Sequence, residues 1–192
     1  MIDPKLKRTL GQMMHAVQVV GARSADGQQR NLYCSHWVMQ VSFEEPILMA
    51  SVSPKHDTYA HIASTGLFAV SFLAGDQIAE GQYFSYPGRK FRHLATEFVE
   101  DFDGLPVVPN AIGYLRCEVQ DRKMLGDHEL FFARVTATRE GRLKEPPLLY
   151  SSRMGWRISG EKARDPGVSI RDQLLDRLAQ AGFDAEPDDS AD

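Results

Sequence analysis

Cysteine is scarce. Cys34 and Cys117 are the only two in 192 residues, and they form no Cys-x-x-Cys pair, which argues against a structural zinc site and against a disulfide framework. Neither Gly-x-Gly-x-x-Gly nor Gly-x-x-x-x-Gly-Lys occurs, so no Rossmann or P-loop nucleotide site is indicated. A Gly-x-Ser-x-Gly elbow and a His-Glu-x-x-His helix are also missing, and Cys34 carries no signature of a catalytic thiol. His56 and His61 stand five apart, which misses the usual helical ligand spacing, so no metal site is expected. Positive charge is not in excess: the net charge is −4 and the pI about 5.9, which disfavours a nucleic-acid backbone or an anionic membrane as partner. Long apolar runs are lacking too. Met1 to Arg8 has basic residues with no uninterrupted apolar stretch behind them, so neither a signal peptide nor a membrane span is expected, and a reducing cytoplasm is the default location.

What is present is enough for one core, with 43% hydrophobic residues. The pattern reads as a domain over residues 1–160, a helical extension over 161–182 and an acidic tail over 183–192. Apolar and β-branched residues between Met13 and Val20, followed by Gly27-Gln28-Gln29, predict a strand and hairpin. Ile47 to Val52 is almost continuously apolar and reads as a strand buried on both faces or closed into a barrel. Asp57 is placed to cap a helix that shares Tyr59, Ile62 and Ala63 on one face and ends at Gly66. Leu67 to Leu73, Phe98 to Phe102, Ile112 to Val119 and Leu130 to Ala137 are further strands, and Gly75-Asp76-Gln77 opens a second short helix. Ser169 to Asp172 resembles a capping box before an apolar stripe of Ile170, Leu174, Leu175 and Leu178. Many short strands with two inserted helices predict a mainly antiparallel barrel rather than a doubly wound sheet.

Asn31 to Ser42 is the oddest stretch. As one strand it places Tyr33, Ser35, Trp37, Met39 and Val41 on one face, and Leu32, Cys34, His36, Val38, Gln40 and Ser42 on the other. Neither face is cleanly polar or apolar, which fits a wet barrel edge or the wall of a ring-shaped ligand. Ser53-Pro54-Lys55-His56-Asp57-Thr58 joins hydroxyls and a cation to a helix start, a combination that attracts anions and also describes an ordinary capped turn. Phe84 to Phe91, with Arg89 and Lys90, reads as a solvated loop or a cover over a ligand. His128 opens a strand after Gly126-Asp127.

In order along the chain, Trp37-Val38-Met39-Gln40-Val41-Ser42 with Pro46, then Phe68 to Leu73, Gly113 to Val119 and Gly126-Asp127-His128 resemble the flavin reductase-like, FMN-binding split-barrel family. The likeness spans Leu10 to Trp156 and is nearest to the flavin reductase modules of flavodiiron proteins, which carry a similar Ser-Trp-Val-Met-Gln run. It implies an antiparallel, Greek-key-like split β-barrel with helical insertions, usually a homodimer. It further implies FMN or FAD as flavin, NADH or NADPH as reductant, and a partner monooxygenase or other acceptor. Carried over by position, Ser35, His36, Trp37 and Val38 contact the isoalloxazine, and Ser51, Ser53, Lys55 and Thr58 hold the phosphate. Ser71, Phe72, Leu73 and Gln77 contact the flavin from the next strand and helix. Phe84, Ser85, Arg89, Lys90 and Phe91 cover it, His128 lies on the nicotinamide side, and Trp156 lies near the rim.

Three departures from the resemblance stand out. His36 occupies the position before the Trp where relatives have a small hydroxyl residue, with Ser35 displaced by one. His56 stands where relatives have Arg, leaving Lys55 as the permanent cation, and Ser71 replaces Asn. Hydride transfer between nicotinamide and flavin is chemistry the two groups carry themselves, which accounts for the missing acid–base constellation. The alternative is an FMN-binding electron carrier without efficient NAD(P)H oxidation, its nicotinamide face blocked by the C-terminal helix; an interaction domain that has lost flavin is a third reading.

Overall fold

The computed structural model describes residues 3–86, 95–158 and Gln180. The chain divides into two units, Met1–Ser159 and Gly160–Asp192, and the description concerns the first; the stripe from Ile170 to Leu178, the tail, and Arg89, Lys90 and Phe91 lie outside the described residues. The element order is α1 (Pro4–Leu10), β1 (His15–Ala16), β2 (Gln18–Arg23), β3 (Arg30–Ser35), β4 (Val38–Gln40), β5 (Ile47–Val52), α2 (Asp57–Thr65), β6 (Leu67–Phe72) and α3 (Ile78–Ser85), followed by β7 (Glu100–Phe102), β8 (Leu105–Val107), β9 (Gly113–Leu125), β10 (His128–Glu140), β11 (Leu148–Ser151) and β12 (Gly155–Ile158).

Seven strands pair antiparallel in the order β3-β2-β6-β9-β10-β5-β4. β3 and β4 are therefore opposite edges, yet only His36 and Trp37 separate them. Seven strands laid flat span about 29 Å, whereas three residue steps reach at most about 11 Å. The sheet must curl until its edges nearly meet, and it does. Tyr33 from one edge and Val38 from the other enter the same core, with Val20, Leu48, Val52, Phe68, Val70 and Phe131, and Ile62 of α2 plugs it. This is the split barrel the sequence predicted.

The stretch Asn31–Ser42 is thus two strands and not one. Asn31, Tyr33 and Ser35 are buried, but Trp37, Met39 and Val41 are exposed, because the crossing resets the alternation and Val38 turns inward instead. Ile47–Val52 buries one face fully and the other only partly. Asp57 sits inside the first turn of α2; the cap position is His56, whose side chain makes no capping bond, and Gly66 at φ 69° ends the helix as expected. Tyr59, Ile62 and Ala63 do face the core.

Two outer layers complete the fold. The hairpin β7–β8, turned at Asp103 and Gly104 with both φ values positive, covers Ala69 and Tyr114; β1, β11 and β12 form a small sheet. Leu148 of that sheet joins Val17, Val19 and Leu73 in a further core that also receives Phe84 and Trp156. Burial keeps both thiols protonated, pushing Cys34 up to about 11 and Cys117 to about 12.

Gly21 lies where β2 passes under β8, and a Cβ there would meet the Pro106 carbonyl oxygen at 2.0 Å. Backbone cannot yield as a flexible side chain can. Gly21→Ala is expected to destabilise the fold by about 3 kcal/mol, read as a lowered urea midpoint with an unchanged slope.

Candidate functional site

The seam of the barrel is where polar and aromatic groups gather. The Ser51 N–H donates to the Trp37 carbonyl at 2.9 Å, joining the crossing to β5. The turn leaving β5 carries Ser53, Lys55 and His56 to the start of α2. From the other side β9 and β10 deliver His128 through a two-residue turn, Gly126-Asp127, with Leu125 paired to His128 and a positive φ of 63° at Gly126 alone, as in a type II′ turn.

Trp37, 51% exposed, meets His128 edge to face at 5.0 Å. His128 Nδ1 lies 2.8 Å from Asp127 Oδ1; a carboxylate only accepts, so the proton belongs on Nδ1 and Nε2 is left as acceptor or proton-bearing edge. That bond, with the nearby Lys55, holds the Asp127 carboxyl below its usual range. His56 stacks on Tyr33 with centroids 4.6 Å apart and planes 24° apart. Burial, and next the like charge of His128, lower its pKa, while Asp57 partly offsets them.

Beneath these groups, Glu129 is 5% exposed. It accepts from Tyr59 Oη at 2.6 Å and pairs with Arg122 Nε at 3.0 Å, tying α2 to the hairpin that carries His128. Buried carboxylates persist when so paired. Sequence patterning gave no sign of this tie, since Tyr59 and Glu129 are 70 positions apart and each looks ordinary in its own element.

Of the residues singled out from the sequence, the structure brings together Ser35, His36, Trp37, Val38, Ser51, Ser53, Lys55, Thr58 and His128. Their presentation differs. Ser35 and Thr58 are buried, Ser35 Oγ accepting the Trp37 N–H at 3.3 Å, so Thr58 meets a ligand through its backbone or not at all. His36 turns away from Trp37 into the small sheet. It stacks on Tyr150 at 4.5 Å and meets Trp156 edge-on at 6.2 Å, with Nδ1 buried and unpartnered.

The remaining positions are built into other layers. Ser71, fully buried, accepts the Val108 N–H at 3.0 Å. Gln77 accepts from Ala74 N and donates to the Pro109 carbonyl. Leu73 and Phe84 belong to the core under the small sheet, Phe72 packs on the main core, and Ser85 Oγ donates to the Gly81 carbonyl. Trp156 stands by the crossing through His36, its ring laid over Gly81, where a Cβ would come within 2.9 Å of it.

The seam suits a flat heterocycle with an anionic tail. Trp37 supplies an apolar plate at a strand break, and α2 is nine residues long with no capping bond from the His56 side chain. An open cleft elsewhere, about 520 Å³, is lined by Lys5, Arg8, Thr9, Gln12 and Arg153; without an aromatic or aliphatic wall it does not suit such a ring. Among the described residues no group of three or more His, Cys, Asp or Glu side chains could hold a metal ion, and no helix is long and apolar enough to cross a membrane.

Burial, with His15 adding to it, lowers the pKa of His36 to about 4, against about 6.5 for an unfolded chain. The unfolded state therefore binds a proton that the native state refuses between those values. Stability from this residue is fully present above pH 6.5 and is lost as pH falls toward 4. His36→Phe, which keeps the stack on Tyr150, is expected to flatten that loss in urea unfolding measured from pH 7 to 4.

Comparisons with known proteins identify the family. Residues 10–156 match the family described as the flavin reductase like domain. The chain is 30% identical over 145 residues to the NADH:riboflavin 5'-phosphate oxidoreductase of Streptomyces pristinaespiralis, covering 75% of this chain and 81% of that one. It is 27% identical over 151 residues to HsaB of Rhodococcus jostii, the reductase subunit of a flavin-dependent monooxygenase, covering 78% and 75%. A diflavin flavoprotein of Synechocystis is 27% identical over 134 residues, but there the match covers 67% of this chain and only 22% of the relative. Among solved structures, the styrene monooxygenase flavin reductase of Pseudomonas putida superposes with a TM-score of 0.71 at 21% identity, over 81% of this chain and 97% of that one. The fold, the order of motifs and the match over most of the chain agree: this chain belongs to the flavin reductase like family.

Proposed function

We propose that this chain is a flavin reductase that draws hydride from NAD(P)H, hands reduced flavin to a partner oxygenase, and uses the barrel seam as its site. The observation carrying the site is the meeting of Trp37, His128 and the Ser53–His56 turn, from three separate elements, at one break in the sheet. When both are bound, nicotinamide donates a hydride to the flavin ring, chemistry that these groups supply themselves. The residues then have to align, hold and dry the site.

Trp37 and the backbone from Ser35 to Val38 line the isoalloxazine. Ser51, Ser53, Lys55 and the first turn of α2 at Thr58 hold the phosphate; one such turn suits FMN, with its single phosphate, better than FAD. His128, fixed by Asp127 on Nδ1, presents its other nitrogen on the nicotinamide side. NADH is the proposed reductant because the matching oxidoreductase is named for it. We place the protein in the cytoplasm, where two free thiols and a reduced nicotinamide pool are compatible.

The outer face of β4, β5 and β10 supports the reading of a homodimer. Register aligns Met39, Met49 and Phe132 in one row across these strands, beside Trp37 at 51%, Met39 at 56% and Val41 at 47% exposure. A contiguous apolar face of this kind is covered by a partner more often than by water.

Anaerobic stopped-flow mixing of the flavin-loaded protein with NADH is expected to bleach the visible flavin band; no bleaching with NADH or NADPH overturns the reductase reading. Trp37→Ala is expected to weaken FMN binding about tenfold, the worth of one aromatic stack. Met39→Asp is expected to halve the mass by analytical ultracentrifugation.

A further inference from the structure

The turn assigned to the flavin phosphate carries one permanent cation, Lys55, and one conditional cation, His56. His56 is the cap residue of α2, with φ −76° and ψ 135°, but its side chain takes no part in capping. Its ring is instead laid against Tyr33 at 4.6 Å, and Tyr33 is 6% exposed with its hydroxyl buried and unpartnered. The imidazole is thereby fixed half-buried at the mouth of the helix, among groups that a dianion would approach.

We infer that FMN binding at this turn is coupled to uptake of a proton by His56, so that the protein holds FMN less tightly as pH rises. The inference rests on the phosphate reading of the turn given above. The charged groups around the ring set the direction. From its own turn come Lys55 and Asp57, from the β9–β10 turn His128 and Asp127, and from β3 the neutral Tyr33; Glu129, further along β10, is already engaged by Arg122 and Tyr59. In the absence of ligand, burial and His128 hold the imidazole below its ordinary range, so at neutral pH it is uncharged. A phosphate dianion provides the counter-charge that burial denies and favours the protonated ring.

The sign is then fixed by linkage. The bound state holds more protons than the free state, so affinity falls with rising pH, by up to about tenfold per unit while uptake approaches one proton. Above pH 6.5 the phosphate is itself mostly a dianion, with its second pKa near 6, so its own titration contributes little.

The test is isothermal calorimetry on the full chain with FMN and with riboflavin, which lacks the phosphate, from pH 6.5 to 8.5 in buffers of differing ionisation heat. Expected are proton uptake with FMN and none with riboflavin, and an FMN-to-riboflavin affinity ratio that falls several-fold across the range. His56→Arg is expected to keep the ratio high and flat, and His56→Gln to make it low and flat. A wild-type ratio favouring FMN but constant with pH, without uptake, overturns the inference and leaves the phosphate turn standing. Equal affinities at every pH overturn both. Uptake that survives in His56→Gln and vanishes in His128→Gln overturns the assignment to His56.

Discussion

Closure of a seven-stranded sheet across two residues is the constraint from which the rest of this molecule follows. Because His36 and Trp37 alone connect the two edges, the sheet has to roll up, and rolling up creates a single core that Tyr33 and Val38 enter from opposite ends. The same constraint makes the seam chemically distinct. Strand pairing would align side chains on two faces; at the crossing this alternation is broken, and successive side chains diverge. His36 enters the small sheet beside Tyr150, while Trp37 leans outward to His128. The mouth is therefore a product of topology before it is a product of residue choice.

Around this opening the supporting interactions are arranged to hold three elements in register. Glu129 ties α2 to β10, and Tyr33 fixes His56 against β3. Asp127 fixes the tautomer of its neighbour. None of these groups is chemically reactive in its setting, and this agrees with a reaction whose difficult chemistry is carried by two cofactor rings. What such a protein contributes is geometry, and geometry of this sort is supplied by buried pairs and stacked rings rather than by strong acids or bases.

Much of the fold was legible because hydrophobic alternation is strong where a strand packs on one side. The strands from Leu67 and Leu130 were read in this way, the strand from Ile47 by its nearly continuous apolar run, and the face of α2 by helical spacing. The turn at Asp103-Gly104 carried an equally local signal, an Asp-Gly pair suited to positive φ; the strand before it was read as Phe98 to Phe102, two residues longer than β7, while β8, three residues long, shows too little alternation to be recognised alone. The crossing at His36-Trp37 was illegible for a different reason. No break in composition marks it, and only the pairing partners of β3 and β4, far away in sequence, require it. Site residues divided along the same line: Trp37, Ser53, Lys55 and His128 stood out as unusual types at turns and edges, whereas Tyr33 and Glu129 act through distant partners. Ser71 and Gln77 are polar residues that the structure buries and bonds to backbone, and in sequence a polar residue needed inside a core looks the same as one needed by a ligand.

The state of the two thiols has a consequence for a protein that handles reduced flavin. Free reduced flavin meeting dioxygen yields hydrogen peroxide, and the species of cysteine that peroxide attacks is the thiolate. With Cys34 held up to about 11 and Cys117 to about 12, thiolate is rare at neutral pH, and both sulfurs stay low on the oxidation ladder. Oxidative ageing of this chain then falls on its thioethers, and first on Met39, Met13 and Met124, which are 56%, 54% and 52% exposed in the single chain. Because Met39 lies on the apolar outer face, a sulfoxide there would lay a polar group on that surface, and wear would register as a change in association before any change in the fold.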